Sequence, residues 1–413
     1  MAETPSPNPP PTSGAIDFFR NSQSLRLLGI AALVLLLQIP ISMIEGVIYE
    51  REGRRVEATI DVQQKWGGQQ RIVGPRLVIP VTRTPKPSPN PTAWTQPLKP
   101  EQLVVHLLPD ELDARSEIDT QTLHRGIFDV PVYSLGLDLS GRFAAPDLEN
   151  LVESDDQIHW DRAALVIEIS DARAIQQSAN LRWADETIEF QPGPGPARLT
   201  SAAIHAPLGD RVKQGGSFEA DFVLNGSEAF YLAAVGKETT LEARSNWPDP
   251  SFQGAWLPVK REVGTDGFTA SWSVPFLGRN TPSAWITSAA KEPAPGFTAA
   301  GAVAVAAVAA RMEGVASYSG GVGLADSIGQ ANFGVRLATP VDTYRMAERS
   351  AKYASLFLLL TFGTLWLFEV LAGVRLHAVQ YLLVGAAMCL FYLLETSLAE
   401  HIGFGSAYIL SLI

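Results

Sequence analysis

The placement of three apolar runs constrains this chain more than any motif within it. They occupy residues 27–44, 353–374 and 379–398, and the long segment between the first and second is mostly polar. An α-helix rises about 1.5 Å per residue, so about 20 apolar residues cross the hydrocarbon core of a bilayer. The chain therefore reads as a membrane protein with an N-terminal transmembrane helix, one large water-facing domain and a C-terminal bundle of transmembrane helices. A further apolar stretch runs from residue 404 to Ile413. As a helix it reaches only about 15 Å, half the hydrocarbon thickness, and reads as the start of another span in a chain cut short.

The first run exceeds the 7–15 apolar residues of a secretory signal, and no A-x-A cleavage pattern follows it. Glu50-Arg51-Glu52-Gly53-Arg54-Arg55 comes next, which makes the run an uncleaved anchor. The formal net charge of -11 argues against nucleic acid, because phosphate binding needs clustered Lys and Arg. It argues equally against a domain lying flat on anionic lipid. Cys389, the only cysteine, falls inside the third run, which excludes a disulfide framework and a cysteine zinc site.

Lys and Arg in short loops set orientation. Arg375-Leu376-His377-Ala378, between the second and third runs, has an arginine and no acid; the segment after the third run has Glu400 and His401 but no Lys or Arg. With Arg375 in the cytoplasm, Glu400 and the large domain lie outside. Arg20 and Arg26 agree with a cytoplasmic N-terminus. Arg51, Arg54, Arg55, Arg345, Arg349 and Lys352 oppose it, but long domains translocate largely regardless of flanking charge.

The expected division is a Pro-rich disordered tail at 1–24, the anchor at 25–48, a β-rich extracytoplasmic domain at 49–345 and the C-terminal helices at 346–413. Leu77-Val78-Ile79-Pro80-Val81, Leu103-Val104-Val105-His106-Leu107 and Leu165-Val166-Ile167-Glu168-Ile169 read as short strands. Residues 132–139 alternate, and Asp266-Gly267 marks a hairpin within 262–272. Residues 332–339 read as a strand and 346–352 as a helical lead-in. Many short strands predict a sandwich or barrel-like domain. Pro-rich patches at 84–97 and 192–196 read as surface loops. The Ala-rich stretch 299–310 is too short to span, leaves helix and strand unseparated, and reads as an insertion.

Chemical motifs are scarce. There is no G-x-x-x-x-G-K-[ST] phosphate cradle, and Gly320-Gly321-Val322-Gly323 reads as a flexible loop. His106, His124, His159 and His205 are scattered, with no H-E-x-x-H pair and no G-x-S-x-G elbow. No catalytic, cofactor or metal residue is assigned. Two groups remain. Asn246, Trp247, Asp249, Phe252 and Trp256 have the chemistry of a partner or ligand rim. The favoured reading is plainer: a turn fixed by Pro248 and Pro250 whose aromatics fill the β core. Glu369 and Glu395 are the charged residues of the last two runs, and an intramembrane carboxylate is a functional suspect. Each lies within one or two turns of its span's end, so headgroup-level placement within reach of water is expected.

Four blocks carry a resemblance. They are Val73-Gly74-Pro75-Arg76-Leu77-Val78-Ile79-Pro80; Ser245-Asn246-Trp247-Pro248-Asp249-Pro250-Ser251-Phe252 with Leu257-Pro258 and Lys260-Arg261; Pro340-Val341-Asp342-Thr343-Tyr344 through Arg349, Lys352-Tyr353-Ala354 and Phe368-Glu369; and Gln380-Tyr381-Leu382-Leu383-Val384-Gly385 through Phe391-Tyr392-Leu393-Leu394 to Glu400-His401. Together they resemble the CreD family of bacterial inner-membrane proteins, in the family's order. The resemblance implies an anchor, a large periplasmic domain and a C-terminal helix bundle. It also implies association with the cell envelope and with genes under a two-component system. It supplies no catalytic residues. The chain departs from it by lacking further C-terminal helices and by adding the Ala-rich stretch.

The expectation is a non-enzymatic multi-pass inner-membrane protein contributing to envelope integrity or stress response. Its partners would be the lipid bilayer and other envelope proteins, with no cofactor and no nucleic acid. A periplasmic binding or sensory module relaying to the membrane helices would instead need a concave pocket. An envelope enzyme would need a polar cleft with perturbed titratable groups.

Overall fold

The computed structural model describes residues 23–84, 99–177, 179–197, 202–278, 281–288, 331–338, 343–374 and 376–413. The Pro-rich tail, most of the patch at 84–97, the Ala-rich stretch, the Gly320–Gly323 run and Arg375 lie outside these residues. Two compact units divide the chain: Ala58–Thr339, and Met1–Glu57 together with Pro340–Ile413.

The second unit is helical. Its helices are α1 (Gln23–Trp66, which runs on into the first unit), α2 (Thr343–Ala372), α3 (Ala378–Ile402) and the short α4 (Phe404–Ser411). Among the described residues, α1, α2 and α3 are long and apolar enough to cross a membrane. Leu37, Ile41, Ile44 and Ile48 recur at helical spacing along α1 and pack with Ala351, Ala354, Leu358 and Phe362 of α2 and Tyr381 and Tyr392 of α3. Gly385 of α3 allows that approach, since a Cβ there would collide with Leu37 of α1 and Phe362 of α2. His377 caps α3: its Nδ1 accepts from the Val379 amide, and Gln380 accepts from the His377 amide at 3.0 Å.

From sequence, the β-rich domain begins at residue 49. The structure instead keeps the chain helical to Trp66. No proline follows Pro40 in this helix, and Arg54–Glu50, Arg55–Glu52 and Lys65–Asp61 ion pairs at i,i+3 or i,i+4 line its polar half. Gly67 ends it with φ +139, and its amide donates to Gln63 O at 3.0 Å.

The unit Ala58–Thr339 is β-rich, with two sheets around one apolar core. The first sheet contains β1 (Gln70–Arg83), β2 (Glu101–Leu107), β5 (Gln157–Ile158), β6 (Ala164–Ile169), β9 (Gln191–Pro192), β10 (Ala203–Pro207), β12 (Ala229–Ala233), β14 (Pro250–Gly254), β17 (Ala284–Ser288) and β18 (Asn332–Leu337). The second contains β3 (Glu111–Arg125), β4 (Phe128–Phe143), β7 (Asn180–Trp183), β8 (Glu186–Glu189), β11 (Gly216–Ser227), β13 (Glu238–Ser245), β15 (Lys260–Gly264) and β16 (Gly267–Pro275). The first runs β14-β18-β12-β1-β6-β10-β9, with β2 and β5 also on β1 and β17 on β2; the second runs β15-β16-β13-β3-β4-β11-β7-β8.

Ile79, Val105, Leu165 and Phe230 of one sheet and Leu112, Leu137, Phe218 and Trp272 of the other belong to the shared core, so the domain is a sandwich. β15 and β16 form the hairpin that Asp266-Gly267 predicts, joined through Thr265 and Asp266. On β4 the inward alternation breaks between Val132 and Tyr133, both fully buried. Val130 and Val132 pack with Val62 and Trp66 of α1, while Tyr133, Leu135, Leu137 and Leu139 face the sandwich. The run at 192–196 begins at the end of β9 with Pro192 and turns through Gly193 and Pro194 into a 3-10 turn, Gly195–Ala197.

Candidate functional site

Side-chain contacts fix the directions of the three long helices. Ser355 Oγ of α2 donates to Gln38 Oε1 of α1 at 2.7 Å, and Tyr49 of α1 donates to Glu348 of α2 at 3.4 Å. Residue numbers rise along α1 as they fall along α2, so these two are antiparallel. Ser350 meets Glu395 and Glu369 meets Tyr381, so α2 and α3 are antiparallel as well. Arg51 Nε lies 3.6 Å from Glu400 Oε1, which agrees with parallel α1 and α3. Residues 48–57, 343–350 and 395–402 therefore share one end of the bundle.

The two membrane carboxylates sit at opposite ends of the α2–α3 contact. Glu369 is 8% exposed and accepts from the Tyr381 hydroxyl at 3.3 Å. Glu395 is 1% exposed; its Oε2 accepts from Ser350 Oγ at 2.8 Å, while Oε1 is buried without a hydrogen-bond partner. Sequence position alone suggested water-accessible carboxylates for both. The structure differs because each falls on the face its helix turns toward its neighbour, and helix packing rather than depth removes it from solvent.

The aromatic group lies where the chain crosses from one sheet to the other, between β13 and β14. Asn246 is exposed but tied down: its Oδ1 accepts from the Thr120 amide at 2.8 Å and hydroxyl at 2.6 Å, and its Nδ2 donates to Asp119 at 2.9 Å. Trp247 Nε1 donates to Ala338 O at 3.0 Å, and the Asp249 carbonyl accepts from the Ala338 amide at 3.2 Å. Phe252 meets Phe268 and Trp272 edge-on, and Trp256 meets Phe333 likewise. All three aromatics pack on the sandwich core. The group forms a corner between the two sheets, and its three rings are partly buried against the core.

Sequence reasoning missed a buried polar row on the first sheet. Arg76 Nη2 of β1 stands 2.7 Å from Glu168 Oε1 of β6, the arginine side chain buried and the glutamate side chain 13% exposed. His106 of β2 is 0% exposed, stacks on Trp285 at 5.1 Å and shares a 2.9 Å hydrogen bond with Thr287. Burial, aided by the Arg76 charge, holds His106 well below the ordinary imidazole range. Arg76 lies inside the first of the four blocks, but an arginine in an apolar run does not disclose its partner. Among the described residues, no group of three or more His, Cys, Asp or Glu is placed to hold a metal.

Comparisons with known proteins bear on the whole chain. A family model described as "Inner membrane protein CreD" matches residues 22–413. The Inner membrane protein CreD of Escherichia coli (strain K12) is 30% identical over 384 residues, covering 92% of this chain and 76% of that protein. Among solved structures, a crystal structure of an M1 zinc metallopeptidase mutant from Deinococcus radiodurans is 9% identical with a TM-score of 0.23, covering 40% of this chain and 38% of that one. The same mutant bound to a Tyr-Ser-Ala substrate gives 8% identity, a TM-score of 0.22 and coverage of 40% and 39%. Likeness at that level carries no inference.

Proposed function

The chain belongs to the CreD family of inner-membrane proteins, and from that premise we propose that it serves envelope integrity without catalysing a reaction, its β domain standing in the periplasm. The observation that carries this reading is the direction of the spans. α1 and α2 are antiparallel, so the segment joining them leaves and re-enters at one end of the bundle, the end that also holds Glu400. The lysine-free, arginine-free segment beyond α3 and the arginine before it favour the outside for that end.

The rings of the sheet-crossing corner pack, partly buried, on the core, which supports a structural rather than catalytic use of the domain. Control by a two-component system and contact with other envelope proteins are part of the same proposal. The test is a deletion strain scored for detergent sensitivity and leakage of periplasmic enzyme, then complemented with this chain. Increased leakage reversed by complementation is expected. An envelope indistinguishable from the parent under stress would overturn the proposal.

A second reading, a sensory module that relays ligand occupancy to the membrane, has one observation in its favour. α1 is helical without a break from Gln23 to Trp66, and Trp66 Nε1 donates to Tyr133 O of β4 at 3.2 Å. A shift in β4 would therefore be felt at the last turn of α1, within the β-rich unit.

A further inference from the structure

The exposed side of α2 carries a stripe whose chemistry changes once along its length. Residues three and four apart share a helix face, so Arg345, Arg349, Lys352, Leu356, Leu359 and Leu367 fall within an arc of about 80°. All six are exposed, while Ala351, Leu358 and Phe362 on the opposite face belong to the core of the helical unit. The cations stop at Lys352, and no charged residue follows until Glu369. Tyr353, exposed beside Lys352, is the kind of amphipathic ring that sits at headgroup level. From Leu356 to Leu367 the stripe rises about 16 Å, close to the roughly 15 Å that one leaflet contributes to the hydrocarbon core.

Other cations at this end of the bundle are neutralised locally. Arg51 lies 3.6 Å from Glu400, Arg54 bonds Glu50 at 2.7 Å and Arg55 bonds Glu52 at 2.9 Å. Glu348, the acid within these turns of α2, accepts from Tyr49 at 3.4 Å. Among the described residues, Arg349 and Lys352 make no ion pair or side-chain hydrogen bond. Two uncompensated cations, one turn apart, therefore stand where a lipid-facing apolar stripe begins.

We propose that Arg349 and Lys352 bind the phosphate of an anionic phospholipid whose acyl chain lies along Leu356, Leu359 and Leu367. The Arg349 guanidinium supplies a planar fork for two phosphate oxygens, and the Lys352 ammonium supplies a point charge. A headgroup without an amine keeps its negative charge for both, whereas a zwitterionic headgroup neutralises itself. The proposal goes beyond a role in envelope integrity, holds for whichever leaflet this end faces, and stands or falls separately. With the β domain outside, it gives Arg349 and Lys352 a use that runs against the positive-inside pattern.

The experiment uses the whole chain in a neutral maltoside detergent. Its unfolding midpoint is followed as phosphatidylglycerol or phosphatidylcholine with the same acyl chains is added, since a ligand of the folded state raises the midpoint. Phosphatidylglycerol should act at the lower concentration. Replacing both cations, Arg349→Gln with Lys352→Gln, should weaken the phosphatidylglycerol response about thirtyfold in concentration. Arg54→Gln removes an exposed but paired cation and should leave the preference unchanged.

Equal responses of the wild type to the two lipids, or a preference that survives the double substitution, overturn the proposal. An equal loss with Arg54→Gln would assign the effect to diffuse charge and overturn it as well. So would inorganic phosphate acting as strongly as phosphatidylglycerol, because the ligand would then need no acyl chain. Both side chains are exposed, so folding should tolerate the change. If the double variant does not fold, each single variant should weaken the response about fivefold, and no weakening in either counts against the site.

Discussion

At the scale of single residues, side chains that look alike in sequence have different work. Trp247 is half-buried, and its indole N–H is bonded to Ala338 O, so one ring joins the β13–β14 crossing to the residue that follows β18. Trp247→Ala should lower the stability of the full chain by about 3 kcal/mol, read as a fall in the unfolding midpoint. An unchanged midpoint would favour the rim reading of Asn246, Trp247, Asp249, Phe252 and Trp256. His106 is neutral in the folded domain, whereas in the unfolded chain it takes a proton near its ordinary value of 6.5. The unfolded state then binds more protons below that pH, so stability falls as the solution is acidified. The slope reaches about 1.4 kcal/mol per pH unit for one proton. His106→Phe, which can keep the stack on Trp285, should flatten that acid limb in a pH series of melts; an unaltered limb would place the titration elsewhere. The turn chemistry of Pro248 and Pro250 was legible in the sequence because it is local. The pairing of Arg76 with Glu168 was not, since those residues meet only through strand register.

At the scale of elements, periodicity disclosed some of the strands and left others, such as the alternating β3 and β11, unread. The runs at 77–81, 103–107 and 165–169 lie within β1, β2 and β6, and the alternating 132–139 within β4. The second half of α1 escaped because its many charges outnumber a narrow apolar stripe, of which Val62 and Trp66 pack on β4. Its end is sharply specified: a Cβ on Gly67 would lie 2.7 Å from Asn225 O, at a φ of +139. Gly67→Ala should cost about 2 kcal/mol or more through that clash and the strained backbone, checked by denaturant or thermal melts. A cost below a few tenths would mean that the helix end is free to re-form elsewhere.

At the scale of the molecule, apolar runs separated by a long polar segment led to the expectation of a water-facing domain between an anchor and C-terminal helices. Short strand patterns made that domain β-rich, and the structure has that arrangement. The helix contacts that bury Glu369 and Glu395 were not legible, because one helix's sequence does not say which of its faces meets a neighbour. The central claim joins the direction of the three long helices to the location of the domain. The most direct measurement is a pair of reporter fusions active only outside the cytoplasm, one inserted at Asn225 in β11 and one at Leu376 between α2 and α3. Activity at Asn225 with silence at Leu376 is the predicted result. Silence at Asn225 with activity at Leu376 would put the β domain in the cytoplasm and contradict the account.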